Sequence, residues 1–313
     1  MVRAVSIGEV MVELQREPDG RFALAFGGDT FNTAVYLVRS GVATSYATAL
    51  GDDRFSDAIL ALCEREGVSA DAILRGQGRV PGLYLIETDE KGERSFTYWR
   101  DTSPARDLFE LPGWERVAED IAAARLVYLS AISLSLYSNV GLGRLFACLE
   151  AVRAGGGIVA FDTNYRPRNW KGDVERARLV VEEALKRTDL ALPTFDDEQA
   201  LWGDADPMRT LERLAGTGPG EIAIKLGGEG ALVAGRGGVE RIAVPEKVKP
   251  VDTTGAGDSF NAGYLAARLA GRPPAEAALA GHRLASVVIR HRGAIVPRKA
   301  TDAVIPSAGV TVQ

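Results

Sequence analysis

Apolar positions along the chain alternate between short runs and helical repeats. Residues 4–7 read as a strand, 31–40 as a helix, 45–50 as a strand and 55–66 as a helix. Strands spaced by helices of this length predict βαβ units and a mostly parallel sheet. The rhythm resumes with a strand over 126–130, a helix over 142–154, a strand over 158–162, a helix over 174–186 and a strand over 190–192. Near 222–231 a strand, a glycine-rich loop and a second strand follow. Ala262, Leu265, Ala266 and Leu269 then recur at i, i+3, i+4 and i+7, which predicts a helix with one buried face that ends near Gly271. A last helix is expected over 273–290.

One stretch breaks the rhythm. Residues 82–87 and 94–100, joined by a polar turn over 88–93, read as an antiparallel hairpin. It is too short and too aromatic to stand alone in water. It must lie on the main domain, a substrate or a partner chain.

Length and charge narrow the function classes. The 313 residues are ample for one large α/β domain. Lys and Arg total 37 against 42 Asp and Glu, for a net charge of −5 with no basic tail or like-charge block, which argues against a nucleic-acid partner. Cys63 and Cys148 match no metal-ligand spacing and read as buried thiols in a reducing compartment. Two histidines, His282 and His291, lack metal spacing and read as packing or surface groups. The N-terminus has a strand pattern rather than that of a signal peptide, and no apolar run is of spanning length. The expectation is a cytoplasmic protein without a membrane partner.

Candidate chemistry centres on residues 252–260, Asp-Thr-Thr-Gly-Ala-Gly-Asp-Ser-Phe. Gly255 and Gly257 let a ligand approach the backbone at the start of a helix, where unpaired N–H groups and the dipole favour an anion. Asp258 beside such a site is either a base that takes a proton from an attacking hydroxyl or a helix cap. Residues 26–34 repeat the device: Gly27 and Gly28 precede a helix, with Asp29 and Asn32 one turn apart. There the plainer alternative is a helix start capped by Asp29 or Thr30. Asp162, Thr163, Asn164, Tyr165 and Arg166 follow a parallel strand at its C-terminal end, where ligands gather in open sheets. The Lys225–Gly230 loop lacks the Gly-Lys-Ser/Thr of a Walker A motif and also fits a plain hairpin turn. No GxGxxG follows the first strand, which argues against a nicotinamide dehydrogenase.

Taken together these runs resemble the ribokinase-like (PfkB) sugar kinases, from Gly8 to Pro297. The 252–260 run resembles their signature D-T-[TV]-G-A-G-D-x-F, and residues 27–32 resemble their sugar-binding G-G-x-x-x-N. The resemblance implies one domain over 1–313: a three-layer α/β sandwich with a mostly parallel sheet flanked by helices. It also implies a small β-sheet lid from about 80–102 and a piece near 10–26. ATP and Mg²⁺ are implied, as is a homo-oligomer formed through the lid. Asp258 would be the base, and Gly255, Ala256 and Gly257 the anion hole. Glu9, Gly28, Asp29 and Asn32 would face the sugar. Thr194, Lys225, Gly227 and Gly230 would lie along ATP. Many relatives carry N-x-x-E where this chain has Thr194 and Asp197, so Asp197 stands as a metal contact through water, or as a carboxylate favoured at a helix start. The last helix would flank the adenine, with His282 there.

Within the family, Tyr84, Tyr98, Arg100, Asn164 and Arg166 match the sugar pocket of the branch acting on 2-keto-3-deoxygluconate. A neutral sugar would leave two buried guanidiniums without a counter-charge, whereas a sugar carboxylate accepts both in charge-assisted bonds. The alternative for Arg166 is a protein carboxylate as partner. The expected reaction is phosphoryl transfer to the 6-hydroxyl of that acid, with its galacto epimer as a second acceptor. The rival readings are fructokinase or another neutral-sugar kinase, and a catalytically silent sugar sensor.

Overall fold

The structure is a computed structural model that describes residues 3–17, 19–88 and 94–305. Thirteen strands are present in the described residues: β1 (Arg3–Ile7), β2 (Met11–Arg16), β3 (Phe22–Gly27), β4 (Ala43–Leu50), β5 (Ile73–Arg75), β6 (Leu83–Thr88), β7 (Arg94–Trp99), β8 (Leu126–Ser130), β9 (Ile158–Asp162), β10 (Leu190–Ala191), β11 (Glu221–Lys225), β12 (Ala231–Gly235) and β13 (Gly238–Ile242). Nine form one sheet in the order β13-β12-β11-β10-β9-β8-β1-β4-β5. It is parallel from β5 to β11, with β12 and β13 added antiparallel at one edge.

Side-chain alternation decides which helices cover which face. In β1, Val5 and Ile7 join one apolar core while Ala4 joins the other. Val159 and Phe161 of β9 face the first core and Ala160 the second; Ile222 and Ile224 of β11 divide from Ala223 in the same way. The second face is therefore lined by small residues in these strands. Two helices that build the site, Asp29–Arg39 and Ala256–Leu269, pack closely on that face. The Asp29–Arg39 helix is buried almost all round, including Tyr36 and Arg39. The result is the helix–sheet–helix sandwich expected from the strand–helix rhythm.

A second sheet, in the order β3-β2-β6-β7, stands apart from the main one. The hairpin read from the chain is its β6–β7 half, with Tyr84 opposite Tyr98. The connecting turn at 89–93 lies outside the described residues. Strand β2 pairs parallel to β6 and antiparallel to β3, which brings residues 11–27 into the same small sheet. Met11, Tyr84, Ile86 and Tyr98 pack together on its inner face.

Both cysteines are buried free thiols, as their spacing implied. Among the described residues no helix is long and apolar enough to cross a membrane.

Strand order places the site. From β1 the sheet continues to β4 on one side and to β8 on the other, so β1 is the switch point where an open α/β sheet forms its crevice. Glu9 follows β1, Ser130 ends β8, Asp162 ends β9 and Lys225 ends β11. All lie at C-terminal strand ends.

Candidate active site

The signature stretch starts a helix. Gly255 is the N-cap of Ala256–Leu269, in the left-handed region at φ 75°. A side chain there would also strike Ala294, whose carbonyl oxygen would be 2.8 Å from the added carbon. Glycine is required on both counts. The Ala256 amide donates to the Thr253 carbonyl at 3.2 Å. The amides of Gly257 and Asp258 come next in the first turn, where no intrahelical acceptor exists. Of the amides expected to form an anion hole, that of Ala256 is thus engaged, and among the described residues the free amides of the first turn are those of Gly257 and Asp258.

Asp258 makes no side-chain cap on this helix. Its Oδ2 accepts from Asn32 Nδ2 at 2.8 Å instead, across 226 residues of chain. Burial of the carboxyl and the nearby charge of Asp29 push its pKa up to about 7, while the Asn32 bond pulls the other way. A carboxyl poised near neutrality at the start of this helix has the properties of a general base.

Asp29 does not cap its helix either. Gly28 is the N-cap and no side chain caps it, so the capping alternatives for Asp29, Thr30 and Asp258 all fall away. Asp29 accepts from Asn164 Nδ2 at 2.9 Å, and burial raises its pKa. A side-chain carbon on Gly28 would lie 2.1 Å from the Glu9 carbonyl oxygen, so only glycine lets these two loops meet.

Beside them is a cleft of about 370 Å³, lined by Glu9, Gly28, Asp29, Tyr98, Arg100 and Arg166, with Phe96, Ile132 and Arg168 among its other walls. It lies between the inner face of the small sheet and the loops after β1 and β9. Arg168, which the sequence reading did not single out, donates to the Phe96 carbonyl at 2.9 Å and stacks over Tyr98 at 4.8 Å. It ties β7 to the loop after β9.

Neither predicted arginine waits for a counter-charge. Arg100 pairs with Glu9, and Arg166 Nη1 lies 2.7 Å from Asp197 Oδ1. The Arg166 side chain is also 51% exposed, so it is not a buried cation at all. The premise of two uncompensated guanidiniums thus fails, and for Arg166 the protein-carboxylate alternative holds. Tyr84 is likewise not in the cleft wall. It is buried, and its hydroxyl donates to Glu13 beneath the cleft. Behind the cleft wall, Glu9 Oε1 and Arg100 Nε are buried with no partner among the described residues. Unmet polar atoms of this kind need a ligand or water.

A second cavity, of about 510 Å³, adjoins the signature helix on its other side. Thr194, Lys225, Gly227, Gly230, Ala256 and Gly257 line it, whereas Gly255 does not. Residues 227–230 are both a hairpin turn between β11 and β12 and part of this wall, so the two readings of that loop describe one object. The far wall carries Val244, Val248, Pro250, Ile289 and His282. His282 packs on Phe260 with ring centroids 4.9 Å apart, and its Nε2 has no partner among the described residues. Segment 244–250 gave no sequence signal. Its residues follow no period, and only the fold brings them here.

Among the described residues no group of three or more His, Cys, Asp or Glu could hold a metal ion. Asp197, expected as a metal contact, is engaged by Arg166. A resident metal cage does not fit these residues. A hydrated ion carried by phosphates and touching one carboxylate does.

The profile of the family described as pfkB family carbohydrate kinase matches residues 1–301. The 2-dehydro-3-deoxygluconokinase of Dickeya dadantii is 44% identical over 95% of this chain and 97% of its own length. Among solved structures, the Thermotoga maritima 2-dehydro-3-deoxygluconokinase superposes with a TM-score of 0.82 at 22% identity, covering 98% of this chain and all of that one. An Escherichia coli structure titled putative ribokinase II in complex with ATP and Mg²⁺ superposes with a TM-score of 0.81 at 20% identity, over 94% of each chain.

Proposed function

The chain belongs to the pfkB family of carbohydrate kinases, and on that premise we propose that it phosphorylates 2-keto-3-deoxygluconate, also named 2-dehydro-3-deoxygluconate, at its 6-hydroxyl. ATP is the donor and 2-keto-3-deoxy-6-phosphogluconate the product. The observation that carries the reaction is the position of Asp258. It follows Gly257, which lines the larger cavity, and it is bonded to Asn32, next to the Asp29 and Gly28 wall of the smaller cleft. A base between two pockets suits in-line transfer from a nucleotide in one to a hydroxyl in the other.

The sugar binds in the cleft of Glu9, Asp29, Tyr98, Arg100 and Arg166, with Asn32 and Asn164 orienting the two aspartates. The nucleotide binds along Thr194, Lys225, Gly227 and Gly230, with its base toward His282 and Ile289. Asp258 takes the proton as the 6-oxygen bonds to the γ-phosphorus. The bond from that phosphorus to the β–γ bridging oxygen breaks, and ADP leaves. The Gly257 and Asp258 amides meet the charge on the transferring group. Magnesium, when bound on the phosphates with Asp197 reached through water, neutralises their charge. The small sheet, tied down by Arg168, excludes water from the cleft.

Preference for an acid rests on relatives 37–44% identical and on three arginines, Arg100, Arg166 and Arg168, in one cleft wall. Because two of these are already paired with protein carboxylates, a neutral-sugar kinase is the second reading. ADP release with 2-keto-3-deoxygluconate, its galacto epimer, gluconate, fructose and ribose decides between them. The ketodeoxy acids are expected to lead in kcat/KM by orders of magnitude; a lead for fructose or ribose would overturn the acid reading. Arg166→Ala is expected to lower kcat/KM for the acids about 10- to 100-fold, the worth of one charged hydrogen bond, and to spare neutral sugars.

The small sheet is also the surface to which this reading assigns assembly. Its outer face carries Phe22, Leu24 and Trp99, at 50%, 52% and 58% exposure; Leu24 lies opposite Leu14, Leu14 opposite Leu85, and Trp99 opposite Leu83. A sheet apolar on both faces has a second surface to cover. The partner in this reading is a second copy of the chain. Leu24→Asp with Trp99→Asp is expected to halve the mass measured by sedimentation; an unchanged mass would remove the sheet from the contact.

A further inference from the structure

Beneath the anion hole lies a buried polar cluster of which only Lys225 has a part in the scheme above. Lys225 Nζ donates to Asp162 Oδ2 at 2.7 Å and to Asn261 Oδ1 at 3.0 Å. Asn261 Nδ2 closes the triangle onto Asp162 Oδ2 at 2.6 Å and also meets the Tyr128 hydroxyl at 2.9 Å. The other Asp162 oxygen accepts from the Asn164 amide at 3.0 Å. Tyr128, Asp162, Lys225 and Asn261 are all buried.

Such a cluster is costly to hold in the interior. An ammonium and a carboxylate removed from water roughly break even against apolar residues of the same volume. Stability alone therefore gives little reason for it, and its location offers another. Lys225 lines the larger cavity, and a side-chain carbon placed on Gly257 would stand 3.7 Å from its nitrogen. An ammonium has three donors. Two are fixed by Asp162 and Asn261, and the third has no partner among the described residues. The fixed pair pins the nitrogen beside the amides that open the signature helix. Asn261 sits on that same helix, one turn past Gly257, so the cluster also sets the distance between helix and lysine.

We propose that Lys225 is a catalytic residue whose remaining N–H donates to the transferring phosphoryl group, with Asp162 and Asn261 as the positioning residues that aim it. The expected lie of Lys225 along ATP is thereby narrowed to the reacting end of the nucleotide. Charge that develops on the phosphoryl oxygens as the sugar oxygen attacks meets one fixed ammonium and two backbone amides. Neither the ammonium nor the amides need reorganise, which is where such donors gain their effect. The proposal rests on the kinase reading above.

Lys225→Met removes the donor and keeps the chain length. It is expected to lower kcat about 10²- to 10³-fold, as loss of one such donor does, with KM for the sugar near the wild-type value. That substitution leaves Asp162 buried without its cation, and the fold itself could fail. The double variant Asp162→Asn with Lys225→Met removes both charges and carries the test. Its melting temperature is expected to return to within a few degrees of wild type while kcat stays low. A double variant that turns over within about fivefold of wild type would overturn the proposal, because only the charge balance of the interior would then have mattered. Wild-type enzyme assayed on the same sugar panel separates the premises. No transfer to any sugar would sink the kinase reading, whereas wild-type transfer with an active double variant would sink only the role of Lys225.

Discussion

Asp258→Asn is expected to lower kcat about 10²- to 10⁴-fold, the usual contribution of a positioned base, while sugar and nucleotide binding stay largely intact. The amide keeps an oxygen for the Asn32 bond, so the pocket geometry survives; only the ability to accept a proton is lost. The pH profile gives the same assignment a second reading. With the carboxyl pushed up to about 7, the free enzyme is protonated below that point, and kcat/KM is expected to fall tenfold per pH unit there. Above about 7 it should level off. In the variant this limb should vanish.

Stability should move the opposite way. A carboxyl whose pKa is raised in the folded state binds its proton more tightly folded than unfolded. Stability is then lost as pH rises from the ordinary carboxylate range through the folded value. At about pH 8 the wild type carries this cost and Asp258→Asn does not. The variant should therefore melt a few degrees higher at that pH, with the gap narrowing toward about pH 4. A variant that is slower and more stable marks a group kept for chemistry rather than packing. Near-normal turnover, or a pH limb that persists in the variant, would end the assignment of Asp258 as the base.

Much of this was legible along the chain because motifs are local. Gly28, Asp29 and Asn32 lie within one run, and Gly255 to Asp258 within another; each run carries its own turn and helix start, so its residues reach the site together. The βαβ rhythm was legible for a related reason, since strands buried on both faces show as dense apolar runs. Strand β13, whose residues Gly238 to Arg241 are exposed, offered no such run and was missed. Pairings between distant runs left no trace. Asp162 and Lys225 stand 63 residues apart, and nothing local marks either as the partner of the other. The same blindness hid the partners of Arg166 and Arg100. Both line one cleft, but the carboxylates that pair with them, Asp197 and Glu9, lie on other elements and had been given other duties. A cation's partner is a property of the fold, and a sequence shows only the cation.

Arg100→Ala should therefore act on two quantities at once. Arg100 and Glu9 are both well buried, at 10% and 1% side-chain exposure, so removing the guanidinium strands a carboxylate in the interior. Breaking a buried pair from one side costs about 3–5 kcal/mol, and a marked fall in melting temperature is expected. The same guanidinium also lines the cleft in which the sugar acid is proposed to bind. Loss of a buried charged partner for a ligand costs about 2–5 kcal/mol, so kcat/KM for 2-keto-3-deoxygluconate should fall about 10²- to 10³-fold. Adding Glu9→Gln to Arg100→Ala separates the two effects. With no stranded charge, the melting temperature should recover, whereas turnover of the acid should not. Fructose offers no carboxylate to Arg100, so whatever basal transfer it receives should change far less in the double variant than transfer to the acid. Equal losses for both sugars would make Arg100 a wall of the cleft, and acid recognition would then have to rest on Arg166 and Arg168.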